Sequence, residues 1–143
     1  MKDAARKAIQ DALNTAWAVG TPPCPLTWDN QPKKHDPKEA WVRVSLQFGA
    51  TQPAAVGKVF RRTLATISFQ VFIPEGQGTA IATKAADRSD TAFMFEQVGF
   101  TEGDANGVIS GDQGCVGPTP AGLDGGFQQY NLFHALRIDL SKF

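Results

Sequence analysis

A short glycine loop is the stretch whose residue types come closest to a binding site. It runs Pro74-Glu75-Gly76-Gln77-Gly78 and separates the apolar run at 69–73 from an alanine-rich stretch. Strand, glycine loop and helix in that order often hold a phosphate, because the helix N-terminus presents N–H groups to an anion. A P-loop, however, needs a lysine and a Ser/Thr directly after its second glycine, and the first lysine here is Lys84. Glu75 would also repel an anion, so we expect a turn into a helix that Thr79 caps.

The histidines, cysteines and serines form no catalytic or metal-binding pattern. His35 lies between a lysine and an aspartate in a proline-rich stretch, and His134 lies on the apolar face of an alternating run, which favours a core histidine. Cys24 and Cys115 are too few for a disulfide scaffold or a zinc site. Ser110 lacks the glycine spacing of a nucleophile elbow. The sequence therefore predicts no catalytic residue, no metal site, no cofactor and no enzyme activity.

One basic cluster lies in a chain that has no net charge. The stretch KVFRR at 58–62 places three basic residues around Phe60, whereas the whole chain holds 14 basic and 14 acidic residues. Bulk attraction to nucleic acid depends on positive charge, so we favour contact with acidic groups of a neighbouring protein over contact with phosphates. Asp87 and Asp90 lie three residues apart on a predicted helix, which is more typical of solvated charge than of a catalytic carboxylate pair.

The hydrophobic periodicity predicts both helices and strands. Apolar residues recur at helical spacing in two stretches and alternate with polar residues in others. Strands joined by short connections pair antiparallel, and helices then cover one face of the sheet. We therefore expect one α+β domain over residues 1–143, an antiparallel or mixed sheet of about four to six strands with two helices packed on one face. The predicted helices are 3–17 and 79–94, and the predicted strands are 26–28, 41–48, 58–73, 97–102, 107–110 and 127–140.

Three segments rich in glycine and proline, 20–38, 49–57 and 110–126, are predicted to be loops. Loops of this length are uncommon in a small domain and usually have a function. Aromatic residues such as Trp28 and Trp41 lie near them, and aromatic side chains beside adaptable loops suit contacts with partner proteins. The sequence therefore favours an interaction protein.

The composition also limits where the protein works. No apolar run approaches the ~18 residues of a membrane span. The charged start of the chain has no apolar stretch behind it, so it does not fit a secretion signal. We expect a cytosolic protein that does not enter a membrane.

The order of several stretches resembles a known family. These stretches are PLTWDNQP at 25–32, WVRVSLQFG at 41–49, VFIPEGQG at 71–78 and AADR at 85–88, after an N-terminal helix that ends near a tryptophan. Together they resemble small tail-terminator or tail-completion proteins of long-tailed bacteriophages and related minor tail proteins of prophages. The resemblance covers roughly residues 1–100.

The resemblance implies a structural protein of the virion tail or neck, assembled in the host cytoplasm. Proteins of this family have an α+β fold and form a homo-hexameric ring that caps the tail tube and ends its polymerisation. The implied partners are other copies of the chain, the major tail tube protein and the head-closure or connector protein, while genomic DNA passes the ring lumen without specific binding. Two alternatives stay open at this point: another neck component, such as a head-closure or connector protein, and a small-ligand-binding module that uses the loop at 74–79.

A ring also implies which residues contact a neighbour. Side-by-side subunits use two different surfaces, so basic groups of one subunit should meet acidic groups of the next. We expect Arg61 and Arg62 to pair with Asp87 or Asp90 of a neighbouring subunit. The full set of candidate interface residues is Trp28, Trp41, Lys58, Phe60, Arg61, Arg62, Glu75, Asp87 and Asp90.

Overall fold

Two helices and seven strands make up the part of the chain that the computed structural model describes, which is residues 1–18, 24–29, 38–54, 59–94, 97–111 and 113–142. The helices carry apolar residues on one side, and the strands alternate apolar and polar residues. In chain order the elements are α1 (Lys2–Ala18), β1 (Leu26–Trp28), β2 (Trp41–Pro53), β3 (Val59–Pro74), α2 (Ala80–Phe93), β4 (Val98–Glu102), β5 (Ala105–Gly111), β6 (Val116–Asp124) and β7 (Phe127–Lys142).

All seven strands belong to one mixed sheet. The strand order is β1-β2-β3-β7-β5-β4, and β6 pairs with the half of β7 that β5 leaves open. Only β1 and β2 run parallel, whereas every other pair in the described chain is antiparallel. The two longest strands, β3 and β7, lie at the centre and pair from Val59↔Lys142 to Pro74↔Phe127.

Alternation along the central strands determines which residues are buried. The odd-numbered residues of β3 from Thr63 to Ile73 are buried, and most of the even-numbered ones are partly or fully exposed. The even-numbered residues of β7 from Leu132 to Ile138 lie opposite four of them, from Phe69 to Thr63, and are also buried. Side chains of successive strand residues point to opposite faces, so one face of this sheet carries the core.

Both helices contribute to the same core. Along α1 the buried residues are Ala5, Ile9 and Leu13, four residues apart, which places them in one stripe. Trp17 stacks on Phe69 of β3, with ring centroids 5.5 Å apart. The six buried residues of α2 are Ala82, Ala85, Ala86, Ser89, Ala92 and Phe93.

The α+β class, the two helices and a mixed sheet agree with the sequence prediction, but the number of strands does not. Four to six strands were expected and seven are described, because β6 forms inside the predicted loop at 110–126. Glycine and proline disfavour a strand, yet pairing with β7 supplies the hydrogen bonds, and two register shifts absorb the irregular residues. Likewise β2 continues to Pro53, into the predicted loop at 49–57, across a bulge between Phe48 and Thr51.

The glycine loop at 75–79 is the expected turn between β3 and α2. Gly76 and Gly78 have φ values of +85° and +77°, a region that glycine adopts without strain. Glu75 donates its N–H to the carbonyl of Gly126 at 3.2 Å, which ties this loop to the β6–β7 turn. The prediction that Thr79 caps the helix is wrong in one respect. Thr79 occupies the N-cap position, with φ and ψ of −104° and −4° in the helical region. Its side chain, however, forms no capping hydrogen bond.

Neither described helix combines the length and the hydropathy that a membrane crossing requires.

Candidate interaction site

The predicted interface residues on β2 and β3 lie at two distant ends of the sheet, whereas Asp87 and Asp90 lie on α2. Arg61 and Arg62 stand near the start of β3, while Trp41 pairs with Phe72 near its end. Arg61 and Phe72 are eleven residue steps apart along β3, which corresponds to about 36 Å. Lys58 lies outside the described residues. The sheet therefore provides two separate surfaces, which we call the arginine end (Phe60, Arg61 and Arg62) and the tryptophan end (Trp41, Phe72 and Phe127).

At the arginine end, Arg62 is already paired within the chain. Its Nε lies 2.7 Å from Oδ1 of Asp139 and its second guanidinium nitrogen lies 3.1 Å from Oδ2, in the two-point geometry of a strong pair. Arg137 lies 3.3 Å from the same carboxylate, and the Arg62 guanidinium stands 5.9 Å from the Phe60 ring centroid. Arg62 therefore stiffens the β3–β7 pair and is less available to a neighbouring subunit than the sequence indicated.

Arg61 differs from its neighbour. Its side chain is exposed, its Cα lies opposite Pro53 of β2, and no ion pair within the described ranges involves it. The predicted acidic partners also differ from one another. Asp87 is exposed on α2, whereas a carboxylate oxygen of Asp90 accepts the N–H of Cys115 at 2.7 Å. Pairing of these groups with a neighbouring subunit stays a prediction, with Arg61 and Asp87 the better placed members.

At the tryptophan end, the aromatic residues pack mainly on each other. Trp41 stacks on Phe72 with ring centroids 4.3 Å apart, and Phe127 meets Phe72 edge-on at 6.5 Å. Arg43 adds a cation 5.5 Å from the Phe72 centroid. Trp28, on β1, is partly buried against the core. Trp28 and Trp41 thus leave only part of their surface for a partner.

The loop that first suggested a phosphate lines a small cavity. A space of about 400 Å³ lies between this loop and β7, and its polar lining includes Glu75, Gln128 and Tyr130. No basic side chain lines it within the described chain. A carboxylate without a nearby cation disfavours an anion, so the cavity does not fit a phosphate.

His134 and the two thiols are structural groups. His134 is fully buried, its Nδ1 lies 2.6 Å from Oγ of Ser89, and Phe93 packs edge-on against its ring at 5.6 Å. Burial lowers the pKa of His134, and the Asp90 carboxylate partly opposes that shift. Burial raises the pKa of Cys24 and of Cys115 to about 11, so both thiols stay protonated and unreactive near neutral pH. No cluster of three or more metal-ligating side chains occurs among the residues that are described.

Several exposed apolar side chains lie outside the predicted set of interface residues. Leu64 is 60% exposed on the polar side of β3, and Leu123 is 67% exposed beside the β6–β7 turn. Val116 and Phe133 form a cross-strand pair and are 60% and 47% exposed. The alternation of β3 already placed Leu64 among polar neighbours and was the available signal, whereas Val116 and Leu123 lay in a segment predicted to be a loop.

A second apolar feature is a groove between α1 and β4. It has a volume of about 600 Å³, and its walls include Ala8 and Ala12 of α1 and Val98 and Phe100 of β4. Among the described residues that line it, the charged ones are Lys7 and Asp11 of α1, and both are exposed.

Comparison with known proteins identifies the family of the chain and a solved structure with a similar fold. The family model described as phage tail terminator protein matches residues 2–110, which run from the start of α1 into β5. No curated protein sequence matches the chain. One solved structure is similar over 100% of this chain and 97% of its own length, with a TM-score of 0.67 and 21% sequence identity. At that identity the likeness shows the fold alone.

Proposed function

Because the chain belongs to the phage tail terminator family and is a phage tail structural protein, we propose that it forms a ring that caps the tail tube. The ring, which we propose to be a homo-hexamer, ends tube polymerisation and offers its other surface to the head-closure or connector protein. The family match over residues 2–110 carries this proposal. It spans both helices, the four strands β1 to β4 and most of β5, out of seven described strands.

The geometry supports a role in assembly. We propose that both helices cover one face of the sheet. The opposite face and the strand edges are then available for contacts with other proteins. That face mixes exposed apolar side chains, such as Leu64 and Phe133, with charged pairs such as Arg62–Asp139. Such a mixture is typical of surfaces that bind other proteins.

The remaining parts of the proposal concern partners and location. The major tail tube protein binds one surface of the ring, genomic DNA passes its lumen without specific binding, and the protein resides in the virion neck after assembly in the host cytoplasm. We propose that it performs no catalysis. The buried His134 and the two thiols support that view, because His134 is shielded from solvent and pKa values of about 11 leave both thiols without a nucleophilic thiolate near neutral pH.

Tube length tests the proposal directly. Tail tube protein is polymerised in the presence or absence of the purified chain, and tube lengths are measured by electron microscopy. We expect shorter tubes with a ring density at one end. Tubes of unchanged length and without end density would contradict the terminator function.

The same preparation separates the terminator from another neck component. A head-closure or connector protein would bind the head connector and leave bare tubes unaffected. Pull-down with purified connector and with bare tubes therefore distinguishes the two roles, and binding to the connector alone would favour the second.

A further inference from the structure

We propose that Asp124, in the turn between β6 and β7, is a site of spontaneous covalent modification. There the folded chain forms a succinimide between Asp124 and Gly125, which converts Asp124 to isoaspartate. The sequence contains a second pair that undergoes the same chemistry, Asn106–Gly107, and the fold protects that pair. The reaction requires only water, so the site is independent of the proposed ring.

The chemistry depends on a glycine that follows an aspartate or an asparagine. The main-chain nitrogen of the glycine loses its proton to water and attacks the side-chain carbonyl carbon of the preceding residue, and no Cβ hinders its approach. As the new C–N bond forms, aspartic acid releases water and asparagine releases ammonia. A water molecule then opens the succinimide ring at one of its two carbonyls. The product is either aspartate or isoaspartate, in which the main chain runs through the former side-chain carbonyl.

The sequence alone would rank the two pairs in the opposite order. It contains one Asn–Gly pair, at Asn106, and one Asp–Gly pair, at Asp124. In an unfolded chain the asparagine reacts faster, because a neutral amide is a better electrophile than a carboxylate near neutral pH. The fold therefore has to account for any preference for Asp124.

The Asn106–Gly107 pair is held inside the sheet. Gly107 lies in β5 and is the partner of Phe100 of β4 on one side and of Leu140 of β7 on the other, so one of the two ladders takes its N–H. Gly107 is also buried, and the Phe100 ring covers the space where a Cβ would lie. Attack by its nitrogen therefore requires that this part of the sheet open first.

The Asp124–Gly125 pair lies in an exposed turn. Asp124 is the strand partner of Phe127, and Gly125 and Gly126 form the two-residue loop between them. Their φ values are +55° and +87°, in the region that such tight loops require and that glycine adopts without strain. Asp124 and both glycines are exposed.

The two reacting groups in this turn have no competing contacts. No hydrogen bond or ion pair within the described ranges involves the Asp124 carboxylate. Gly125 donates no main-chain hydrogen bond in the described turns and loops. A Cβ at Gly125 or Gly126 would meet no atom within 4 Å, so the carboxyl group has space to fold back onto the nitrogen.

Isoaspartate at this position changes one contact of the fold. It adds a carbon to the main chain at residue 124, and the former main-chain carboxyl group becomes the side branch. Two residues later, Gly126 accepts the N–H of Glu75 at 3.2 Å, which joins the β6–β7 turn to the loop between β3 and α2. Isomerisation therefore loosens the connection between these two loops. It leaves the core in place, because Asp124, Gly125 and Gly126 are all exposed.

The variant Asp124→Asn tests the site, because it places two Asn–Gly pairs in one full-length chain. The protein is incubated near neutral pH, and peptide mapping by mass spectrometry measures deamidation at both positions. We expect residue 124 to react at least about tenfold faster than Asn106 in the folded chain, since Gly107 reacts only after local opening. In urea, where both pairs are unfolded, the two rates should agree within about twofold. Equal rates in the folded chain, or the same rate difference in urea, would overturn the proposal.

The wild-type chain provides the second measurement. After the same incubation, fragmentation that distinguishes isoaspartate from aspartate should locate isoaspartate at residue 124. The controls are Asp87 and Asp104, which are also exposed but precede Arg88 and Ala105. An isoaspartate fraction at residue 124 no higher than at these two positions contradicts the assignment. Amide hydrogen exchange at Glu75 should be faster in the isomerised fraction, and unchanged exchange there would contradict the loosening of the two loops.

Discussion

At the scale of single residues, the buried His134 is expected to make the stability of the fold depend on pH. Its folded-state pKa lies below the ordinary value of about 6.5 because the ring is buried. Below pH about 6.5 the unfolded chain binds a proton that the folded chain does not, so the free energy of unfolding falls as the pH is lowered toward the folded pKa. The stabilisation is complete above that window.

We expect His134→Gln to remove this dependence, since glutamine is neutral throughout. Thermal unfolding between pH 7.5 and 5 measures how the free energy of unfolding changes with pH. In the wild type the contribution of His134 to this slope should be at most about 1.4 kcal/mol per pH unit, and the slope should be smaller in the variant. The variant's lower overall stability does not affect the comparison, because only the slope is compared. Equal slopes would indicate that His134 titrates normally in the folded chain.

Gly107 is a second residue whose role depends on one neighbour. Its backbone lies under the ring of Phe100 on the adjacent strand β4, and a Cβ at this position would overlap that ring. We expect Gly107→Ala to lower the free energy of unfolding by about 1–3 kcal/mol, because the aromatic ring must move. Gly99→Ala is the control, since the nearest atom to its Cβ would be 4.0 Å away. Urea unfolding of both variants measures the difference, and equal effects would show that Phe100 relocates without cost.

At the scale of elements, one carboxylate connects α2 to β6. Asp90 accepts the N–H of Cys115 just before β6 begins, and β6 itself is exposed along most of its length. We expect Asp90→Ala to accelerate amide hydrogen exchange at 114–117 while exchange in β3 stays unchanged, because opening there is local. Asp87→Ala, exposed on the same helix, should have no such effect. Uniform acceleration across the chain would indicate global destabilisation instead.

The elements also show what the sequence could and could not predict. The bounds of α1, α2, β3 and β7 were predicted to within one or two residues, because their periodicity is strong and their apolar faces are buried. β6 was missed because its strand structure depends on pairing with β7 and not on its own glycine- and proline-rich residues. The partner of Arg62 was missed for a related reason, since Asp139 is 77 residues away and becomes adjacent only through the β3–β7 register.

At the scale of the whole molecule, the central strand comes from the end of the chain. The family model matches residues 2–110, yet β7 at Phe127–Lys142 pairs with β3, β5 and β6. β7 also contributes Leu132, Leu136 and Ile138 to the core. The matched region therefore lacks β7, the strand that lies between β3 and β5 in the sheet. Folding thus requires contacts between distant parts of the chain.

We accordingly expect a chain of residues 1–126 to remain unfolded, since removing β7 exposes the core faces of β3 and β5. The control replaces residues 116–126 by a Gly/Ser linker of equal length, which removes β6 but retains β7; this variant should fold, because β6 is exposed and contributes no fully buried side chain. Near-ultraviolet circular dichroism and urea unfolding distinguish the two. Cooperative unfolding of the 1–126 chain would mean that the matched region forms its own core, and β7 would then be an addition to the fold and not its centre.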